Sequence, residues 1–347
     1  MKVNIGFKQF IIILLIFNYS FVHAQTLPGT YTTTWLGNTF GGQTKWMQNY
    51  VLGMTVSPAG KVFTTSHWDE DHHERGIYQN GDMLGNLGGR GFAIGSSKTH
   101  IFVGEGTTIR MHDFDSKFIK TFNPGFEILS ISANQTYIVA GTWDAVSVFN
   151  ISTGSLVKTF SFPNLRAVSI DNNNNIWIIK NVFITKVDSH EKKYSFLQSG
   201  LTPEIIRYDI NGNLLEGKIT GENGWIPVCM AIDNTGKLMV GDDGVRRLID
   251  FYDVSSPATP LLVNSFGTPG GPSGGVSGEY NPLKFFGIKG VGTDSIGNIY
   301  VGLCEESTVL RSLKPTGEMN WETVCALFVD NIMFDPESEG RVAYGKK

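Results

Sequence analysis

The feature that most constrains the fold is a hairpin pattern that recurs along the whole chain. Each copy has an alternating apolar run, a turn at a small or acidic residue, and a second β-rich run. The copies are MTVSPAGKVFTT from Met54, FAIGSSKTHIFVG from Phe92, ILSISANQTYIVAG from Ile128, VSIDNNNNIWIIK from Val168, MAIDNTGKLMVGD from Met230 and VGTDSIGNIYVGL from Val291. The turns are predicted at Ser57, Gly95, Ser132, Asp171, Asp233 and Asp294, with spacings of 38, 37, 39, 62 and 61. Such a repeat predicts one architecture built from similar units.

A second hairpin follows the first in several copies. It is visible in segments 108–122, 145–160 and 205–219. Four strands in about 40 residues are typical of a β-propeller blade. One four-stranded sheet cannot bury both of its apolar faces, whereas neighbouring sheets around an axis cover them. The sequence therefore predicts an all-β propeller of four-stranded blades.

The number of blades depends on the two ends of the chain. Segment 331–345 is interpreted as a seventh inner hairpin with its turn at Asp335, and segment 30–37 as the outer strand that completes this blade. We therefore expect seven blades, the last one incomplete and closed by the N-terminal strand; the alternative is six blades and a tail. Residues 25–347 then form one propeller domain, and the abrupt end indicates a truncated C-terminus.

The first 24 residues have the layout of a secretory signal peptide. Lys2 and Lys8 precede an apolar core, and Val22 to Ala24 resemble a cleavage site. The apolar run is shorter than the ~20 residues of a spanning helix, so we expect no membrane span and a secreted or periplasmic protein. Charged residues are 17% of the chain and the net charge is −4, which argues against a nucleic-acid partner. For Cys304 and Cys325, a disulfide and free buried thiols both remain open.

The segment TTSHWDEDHHERG, residues 64–76, concentrates the histidines and carboxylates. We label the strands of a blade A to D from the axis outwards, which makes this segment the B–C loop of the first blade. Carboxylates follow strand B in most other blades, where a propeller brings loops together. They are Glu105, Asp144, Asp242, Asp243, Glu305 and Glu306, with Lys180 in the fourth blade instead.

These side chains suggest a metal site at the mouth of the central channel. The candidate ligands are His67, Asp69, Glu105, Asp144, Asp242 and Glu305. Oxygen ligands suit Ca²⁺, and a set with histidine suits another divalent cation. Ordinary solvated loop ends are the alternative. His72, His73 and Glu74 lie further along the loop and match no HExxH motif.

Aromatic and basic residues near the same loops suggest a glycan or protein ligand. Trp68 and Trp143 lie at strand B ends and suit stacking on sugar rings, although buried packing is the alternative, above all for Trp177. Arg90 and Arg246 could hold an anionic group. The ligand-binding set is thus His67, Trp68, Asp69, Arg90, Glu105, Trp143, Asp144, Asp242, Arg246 and Glu305.

Two long loops shape the same face. Segment 181–204 is predicted as the B–C loop of the fourth blade. Segment 267–287, before the sixth blade, is rich in Gly, Pro and Ser, a composition that favours a flexible lid or a disordered surface loop over additional core.

The segments AIDNTGKLMVGD and GTDSIGNIYVGL resemble NHL-type repeats and the propellers of the SMP-30/gluconolactonase superfamily. The stretch that begins TFGGQTKWMQ at Thr39 is similar to secreted bacterial propellers that often accompany sugar-binding modules. The superfamily implies metal ligands in Asn-Gly-Leu and Pro-Asp-Gly segments. Neither motif occurs at 163–170, 225–232 or 287–293, so lactonase activity is disfavoured. A binding scaffold is the first hypothesis. The second is a metal-dependent hydrolase or polysaccharide lyase, with His67 as base and Arg90 or Arg246 against a uronate.

Overall fold

The computed structural model divides into two compact units, residues 35–327 and residues 1–34 with 328–347. The residues that it describes are 50–66, 75–88, 91–180, 183–187, 193–197, 202–222, 224–276, 279–305, 307–326, 331–334 and 343–346. The signal segment and segment 30–37 lie outside this set, so the predictions made for them stay predictions.

The larger unit contains six four-stranded antiparallel sheets among its described residues, five of them built from consecutive strands. Blade 1 contains β1 (Val51–Val56), β2 (Val62–Ser66), β3 (Gly76–Gln79) and β4 (Asp82–Asn86). Blade 2 contains β5 (Ile94–Ser96), β6 (His100–Glu105), β7 (Thr108–Asp113) and β8 (Phe118–Phe122). Blade 3 contains β9 (Ser130–Ala133), β10 (Tyr137–Gly141), β11 (Ala145–Asn150) and β12 (Leu156–Ser161).

Blade 4 carries an inserted hairpin between its second and third strands. The blade contains β13 (Leu165–Ile170), β14 (Ile176–Lys180), β17 (Glu204–Tyr208) and β18 (Leu214–Thr220), and the insert is β15 (Phe183–Val187) with β16 (Lys193–Leu197). Blade 5 contains β19 (Pro227–Ile232), β20 (Leu238–Asp242), β21 (Leu248–Asp253) and β22 (Leu261–Phe266). Blade 6 contains β23 (Ile288–Thr293), β24 (Ile299–Cys304), β25 (Ser307–Leu313) and β26 (Met319–Ala326).

The ring closes after six blades in the described part of the larger unit. Each inner strand contacts the inner strand of the next blade, and β23 contacts β1. A Cβ on Gly290 would lie 2.7 Å from the Cβ of Met54, so blade 6 is packed directly against blade 1. The all-β propeller is confirmed with six blades, and the expectation of seven is wrong because this close packing leaves no gap for another blade.

The segment that suggested a seventh blade forms a hairpin in the smaller unit. Strand β27 (Asn331–Phe334) pairs antiparallel with β28 (Ala343–Lys346) in a two-stranded sheet. The prediction of a hairpin here is confirmed, but the propeller ring is complete without it.

In every blade, a short polar side chain accepts backbone hydrogen bonds in the turn between strands A and B. In blade 4, Oδ1 of Asp171 accepts hydrogen bonds from the backbone N–H groups of Asn173 and Asn175, both at 2.9 Å. Equivalent side-chain acceptors are Ser57, Ser97, Asn134, Asp233 and Asp294. The predicted turn positions Gly95 and Ser132 are therefore two residues early and lie within β5 and β9. Short polar side chains that bond the backbone two to four residues ahead favour tight turns.

The cores lie between adjacent blades. Between blades 6 and 1, Met54 and Val56 pack with Tyr300 and Leu310. Trp177 is fully buried between blades 4 and 5, and its Nε1 donates to Oδ2 of Asp171 at 3.1 Å. The buried interpretation of Trp177 is thus confirmed. No helix in the described residues is long and apolar enough to cross a membrane.

Candidate ligand-binding site at one end of the channel

Strand direction brings the predicted loops to one end of the propeller. Strands β6, β10, β20 and β24 finish where the antiparallel inner strands of their blades begin. The B–C loops and the D–A connections therefore share one end, which we call the B–C end. The A–B and C–D turns lie at the other, the A–B end. Glu105 and Asp242 are the last residues of second strands, Asp144 and Glu305 follow second strands, and all four belong to the B–C end.

Two of these carboxylates are neutralised by arginines. Oε2 of Glu105 lies 3.3 Å from Nη1 of Arg110 and 3.9 Å from Nη1 of the fully buried Arg75. Oε2 of Glu305 lies 3.1 Å from Nη1 of Arg247. Paired carboxylates attract a further cation less strongly than isolated ones, because the neighbouring positive charge cancels much of their field.

Asp242 and Arg246 belong to a buried network in blade 5. The Asp242 side chain is fully buried, and its Oδ1 accepts from the N–H groups of Ile226 and Gly244 at 2.9 Å. Nε of Arg246 lies 3.6 Å from Oδ2 of Asp242, and the same guanidinium bonds the buried Asp250. Burial raises the pKa of Asp242.

Strand alternation places this network between blades rather than in the channel. Asp242 shares a face of β20 with Leu238 and Val240, which pack in the core between blades 4 and 5. Arg246 lines a cavity of about 600 Å³ in that crevice, together with Tyr252 and Ser265. The sequence correctly assigned both residues to the B–C end but did not indicate which way they face.

Trp143 and Asp144 form the exposed tip of the B–C loop in blade 3. The backbone oxygen of Asp144 accepts from the N–H of Phe162 at 2.8 Å, and that of Trp143 accepts from Leu165 at 3.4 Å. The loop is thereby fixed to the connection that leads into β13. The Trp143 side chain is 56% exposed, so an aromatic surface is held open at this end.

His67, Trp68, Asp69 and Arg90 lie outside the described residues. In the part of the chain that the structure describes, no group of three or more His, Cys, Asp or Glu could hold a metal ion. The Ca²⁺ or other divalent-cation hypothesis therefore depends on His67 and Asp69 and stays a prediction.

The channel itself contains a ring that the sequence analysis missed. A cavity of about 120 Å³ is lined by residues at the start of all six inner strands or just before it. One residue from each blade occupies the equivalent position, just before a small residue and an apolar one. These six residues, which we call the channel ring, are Leu52, Phe92, Leu129, Arg166, Val228 and Lys289. Aligning the repeats on that small residue would have found them.

A β-bulge marks this position in four blades. The pairing of strands A and B shifts register across Leu52, Arg166, Val228 and Lys289. A bulged residue has no partner on the neighbouring strand, and the bulge redirects its side chain. The shared bulge explains why these side chains line the lumen.

Two cations therefore stand in a mostly apolar ring. Burial lowers the pKa of the Arg166 guanidinium, with Cys229 and Asp243 opposing this shift. Lys289 is half-buried, and its side chain makes no hydrogen bond or ion pair among the described residues. Oδ1 of Asp243 accepts a hydrogen bond from the N–H of Ile288 at 3.2 Å. Burial raises the pKa of Asp243, and the positive charges of Lys289 and Arg247 oppose this shift.

The A–B end has a cavity of about 290 Å³ lined by turn residues. Several of its polar side chains form hydrogen bonds in the turns. Nδ2 of Asn134 donates to the backbone oxygen of Asp171 at 2.9 Å, and Nδ2 of Asn234 to that of Ser295 at 3.3 Å. These groups connect neighbouring blades, so the cavity is a consequence of ring closure.

The two long loops connect strands as predicted. Segment 181–204 joins β14 to β17 and contains β15 and β16. Segment 267–287 joins β22 to β23, but over its described residues it is packed onto the propeller. Phe285 is fully buried, and Nη1 of Arg311 donates to the backbone oxygen of Pro282 at 2.7 Å. The expectation of a flexible lid or a disordered loop is wrong for these residues, because aromatic burial and a buried arginine anchor them.

Comparisons with known proteins find solved structures of similar shape. No family model matches the chain, and no curated protein matches it. The structure described as "Kuenenia stuttgartiensis Hydrazine Synthase" has a TM-score of 0.45 and 13% identity, covering 85% of this chain and 100% of that one. "Complex of KlAtg21 with coiled-coil of AgAtg16" has a TM-score of 0.48 and 14% identity, covering 82% and 88%.

A third similar structure is titled "Crystal structure of a protein of unknown function from Bacteroides caccae at 1.35 A resolution". It has a TM-score of 0.39 and 13% identity, covering 69% of this chain and 80% of that one. The propeller assignment of this protein rests on its own strand pairing and ring closure.

Proposed function

We propose that the protein is a binding scaffold that holds a glycan at the B–C end of its channel. The observation that carries this proposal is the exposed Trp143 side chain, on a loop fixed to the connection that enters β13. An exposed indole combines an apolar face with a polar N–H, which suits recognition of a ligand that has both kinds of surface.

The chemistry of this end suits a sugar. An indole plane contacts the apolar C–H face of a sugar ring, while neighbouring polar groups bond its hydroxyls. Asp144, exposed beside Trp143, supplies an acceptor. A rigid propeller holds both without an induced rearrangement, which lowers the entropic cost of binding.

Secretion and membership of the NHL-type propellers belong to the same proposal. The layout of residues 1–24 supports export, and the acidic A–B turns at Asp233 and Asp294 support the repeat assignment. Binding by Trp143 needs no metal. A divalent cation at this end would require His67 and Asp69, and the hydrolase or lyase hypothesis depends on the same two residues.

The test compares the wild type with Trp143→Ala, Trp143→Phe and the control Ile296→Ala on a glycan array, followed by calorimetry on any glycan that binds. Ile296 is 80% exposed on the A–B turn of blade 6, at the opposite end. Loss of one stacking contact should weaken binding roughly tenfold, since about 1.4 kcal/mol corresponds to a factor of ten. Trp143→Phe should retain part of the affinity, and Ile296→Ala all of it. Equal affinity in all four proteins, or no glycan binding by the wild type, would overturn the proposal.

A further inference from the structure

We propose that the glycan is an unbranched, β-linked chain that contacts two aromatic side chains at the B–C end, those of Trp143 and Phe126. This inference rests on the proposed function and names its substrate class. The observation that carries it is the second aromatic side chain. Phe126 is 56% exposed and lies in the D–A connection from β8 to β9, which leads into the blade whose B–C loop carries Trp143.

A backbone hydrogen bond holds the two loops side by side. The N–H of Leu129 donates to the backbone oxygen of Gly141 at 2.9 Å, where β9 begins and β10 ends. Phe126 is three residues before Leu129, and Trp143 is two residues after Gly141. Because consecutive Cα atoms are about 3.8 Å apart, these Cα atoms lie within about 12 Å and about 8 Å of the residues that form the bond. Both aromatic side chains therefore belong to one surface.

The loop that carries Phe126 is fixed on both sides of this residue. Pro124 precedes Gly125, whose φ is 84°, and this order suits the central positions of a type II turn. The N–H of Gly125 donates to the backbone oxygen of Thr107, in the B–C loop of blade 2, at 3.3 Å. Ile128 is buried in the core between blades 2 and 3. The exposed ring is thus held in place before a ligand arrives, which lowers the entropic cost of binding.

A carboxylate follows each of the two aromatic residues. Glu127 comes directly after Phe126 and Asp144 directly after Trp143, and both are exposed. Among the described residues, neither carboxylate makes a hydrogen bond or an ion pair. Carboxylate oxygens accept hydrogen bonds from hydroxyl groups. Each loop therefore offers an apolar ring face together with an acceptor, the two kinds of group that contact a sugar ring.

Two such units on one surface fit a chain of sugars better than a single sugar. The rings of an unbranched, β-linked chain follow an extended line, and each ring presents axial C–H groups on its face to an aromatic plane. Once one ring is bound, contact of a second ring with the other aromatic side chain is an intramolecular step. Affinity should therefore rise with chain length until the ligand reaches both side chains, and then stay constant.

The experiment measures, by calorimetry, the affinity of β-1,4-linked glucose oligomers from the disaccharide to the hexasaccharide, with glucose itself as the shortest ligand. The affinity of the wild type should rise about tenfold at the length that first reaches both aromatic side chains. Longer oligomers should bind with the same affinity as that one, because no further aromatic contact is added.

The variants are Phe126→Ala, Phe126→Trp and Trp143→Ala, with Phe118→Ala as a matched control. Phe118 is 46% exposed at the start of β8, at the A–B end of the propeller. Phe126→Ala should remove the rise of affinity with chain length, and Phe126→Trp should keep it. Trp143→Ala should weaken binding at every length, whereas Phe118→Ala should bind like the wild type. Thermal unfolding checks that every variant is folded.

The outcomes separate this inference from the proposed function. Equal affinity at every chain length, with a loss in Trp143→Ala, would overturn the second aromatic contact and leave the scaffold standing. The same result follows if Phe126→Ala keeps the length dependence of the wild type, or if the array shows binding to other glycans but the oligomers show none. If neither the array nor the oligomers show any binding, both proposals fail.

Discussion

Replacing Arg246 with Met should destabilise the protein far more than the same change at its neighbour, Arg247. Arg246 is the counter-ion of Asp242 and Asp250, whose side chains are both fully buried. Methionine keeps most of the length and apolar volume of arginine but removes the charge. Two buried carboxylates would then face each other across β20 and β21 without a cation.

The magnitude follows from burial. Removing one partner of a buried ion pair costs about 3–5 kcal/mol, because the remaining charge is left desolvated. Oδ1 of Asp242 accepts from two backbone N–H groups and Oδ1 of Asp250 from Oγ of Ser265, but Oδ2 of each carboxylate makes no hydrogen bond, so these neutral donors do not replace the charge of Arg246. Arg247 pairs with the 45%-exposed Glu305. Replacing Arg247 should lower the free energy of unfolding by about 0–1 kcal/mol, as for other solvent-exposed ion pairs.

The pH dependence gives a second readout. Burial raises the pKa of Asp242 above its ordinary 3.8, so the folded state binds a proton more readily than the unfolded one. The free energy of unfolding therefore falls as pH rises from the ordinary value through the raised one. Removing Arg246 raises this pKa further, so the stability deficit should be largest near about pH 7 and smaller near about pH 5.

Urea unfolding of wild type, Arg246→Met and Arg247→Met at both pH values measures these differences, with unchanged m-values as the check on two-state behaviour. Equal losses in the two variants would refute the argument from burial. If the stability deficit of Arg246→Met relative to the wild type grows as the pH is lowered, the deficit does not arise from electrostatics.

Two further predictions concern ring closure and the channel thiol. Gly290→Ala should lower the free energy of unfolding by about 1–3 kcal/mol, since its Cβ would meet the Met54 backbone N at 2.9 Å. The control in the same thermal unfolding series is Gly302→Ala, because its Cβ would first meet the flexible Sδ of Met54 at 3.3 Å. An equal loss of stability in both variants would contradict the close packing of blade 6 against blade 1. Cys229 is partly buried and lines the channel cavity, and desolvation raises its pKa to about 12, so its small thiolate fraction should make it react far more slowly with an aromatic disulfide reagent in the folded protein than after unfolding. Rapid labelling of folded protein at Cys229, compared with Cys229→Ser, would contradict this.

Local chemistry made most of the fold predictable. The Asp171, Asp233 and Asp294 turns combine a backbone-bonding carboxylate with alternating strands on both sides, and both signals are visible within a dozen residues. The turns at Ser97 and Asn134 were placed two residues early. Their segments offer several small polar residues, and only the observed register selects one of them.

The candidate site was less predictable because it depends on direction and pairing. Trp143 and Asp144 were predicted at the end of a strand B, with exposure and buried packing of Trp143 both left open, and the structure exposes both residues. Glu105 and Glu305 were assigned to the same end correctly, but their arginine partners come from neighbouring strands or from another blade. Arg166 and Lys289 were missed because the repeats were aligned on their turns and not on the small residue that follows the bulge, and only the structure shows that the bulge turns these side chains into the lumen.

The sequence by itself determined that this chain builds repeated four-stranded sheets and that their B–C loops share one end. Turn chemistry and the two-residue period of a strand act between near neighbours, so they can be seen in short segments. Only the tertiary structure decided that six blades close the ring, which buried carboxylates are compensated, and which side chains line the channel. Those outcomes depend on contacts between residues far apart in the chain, such as Gly290 against Met54, and no local pattern encodes how closely two sheets approach.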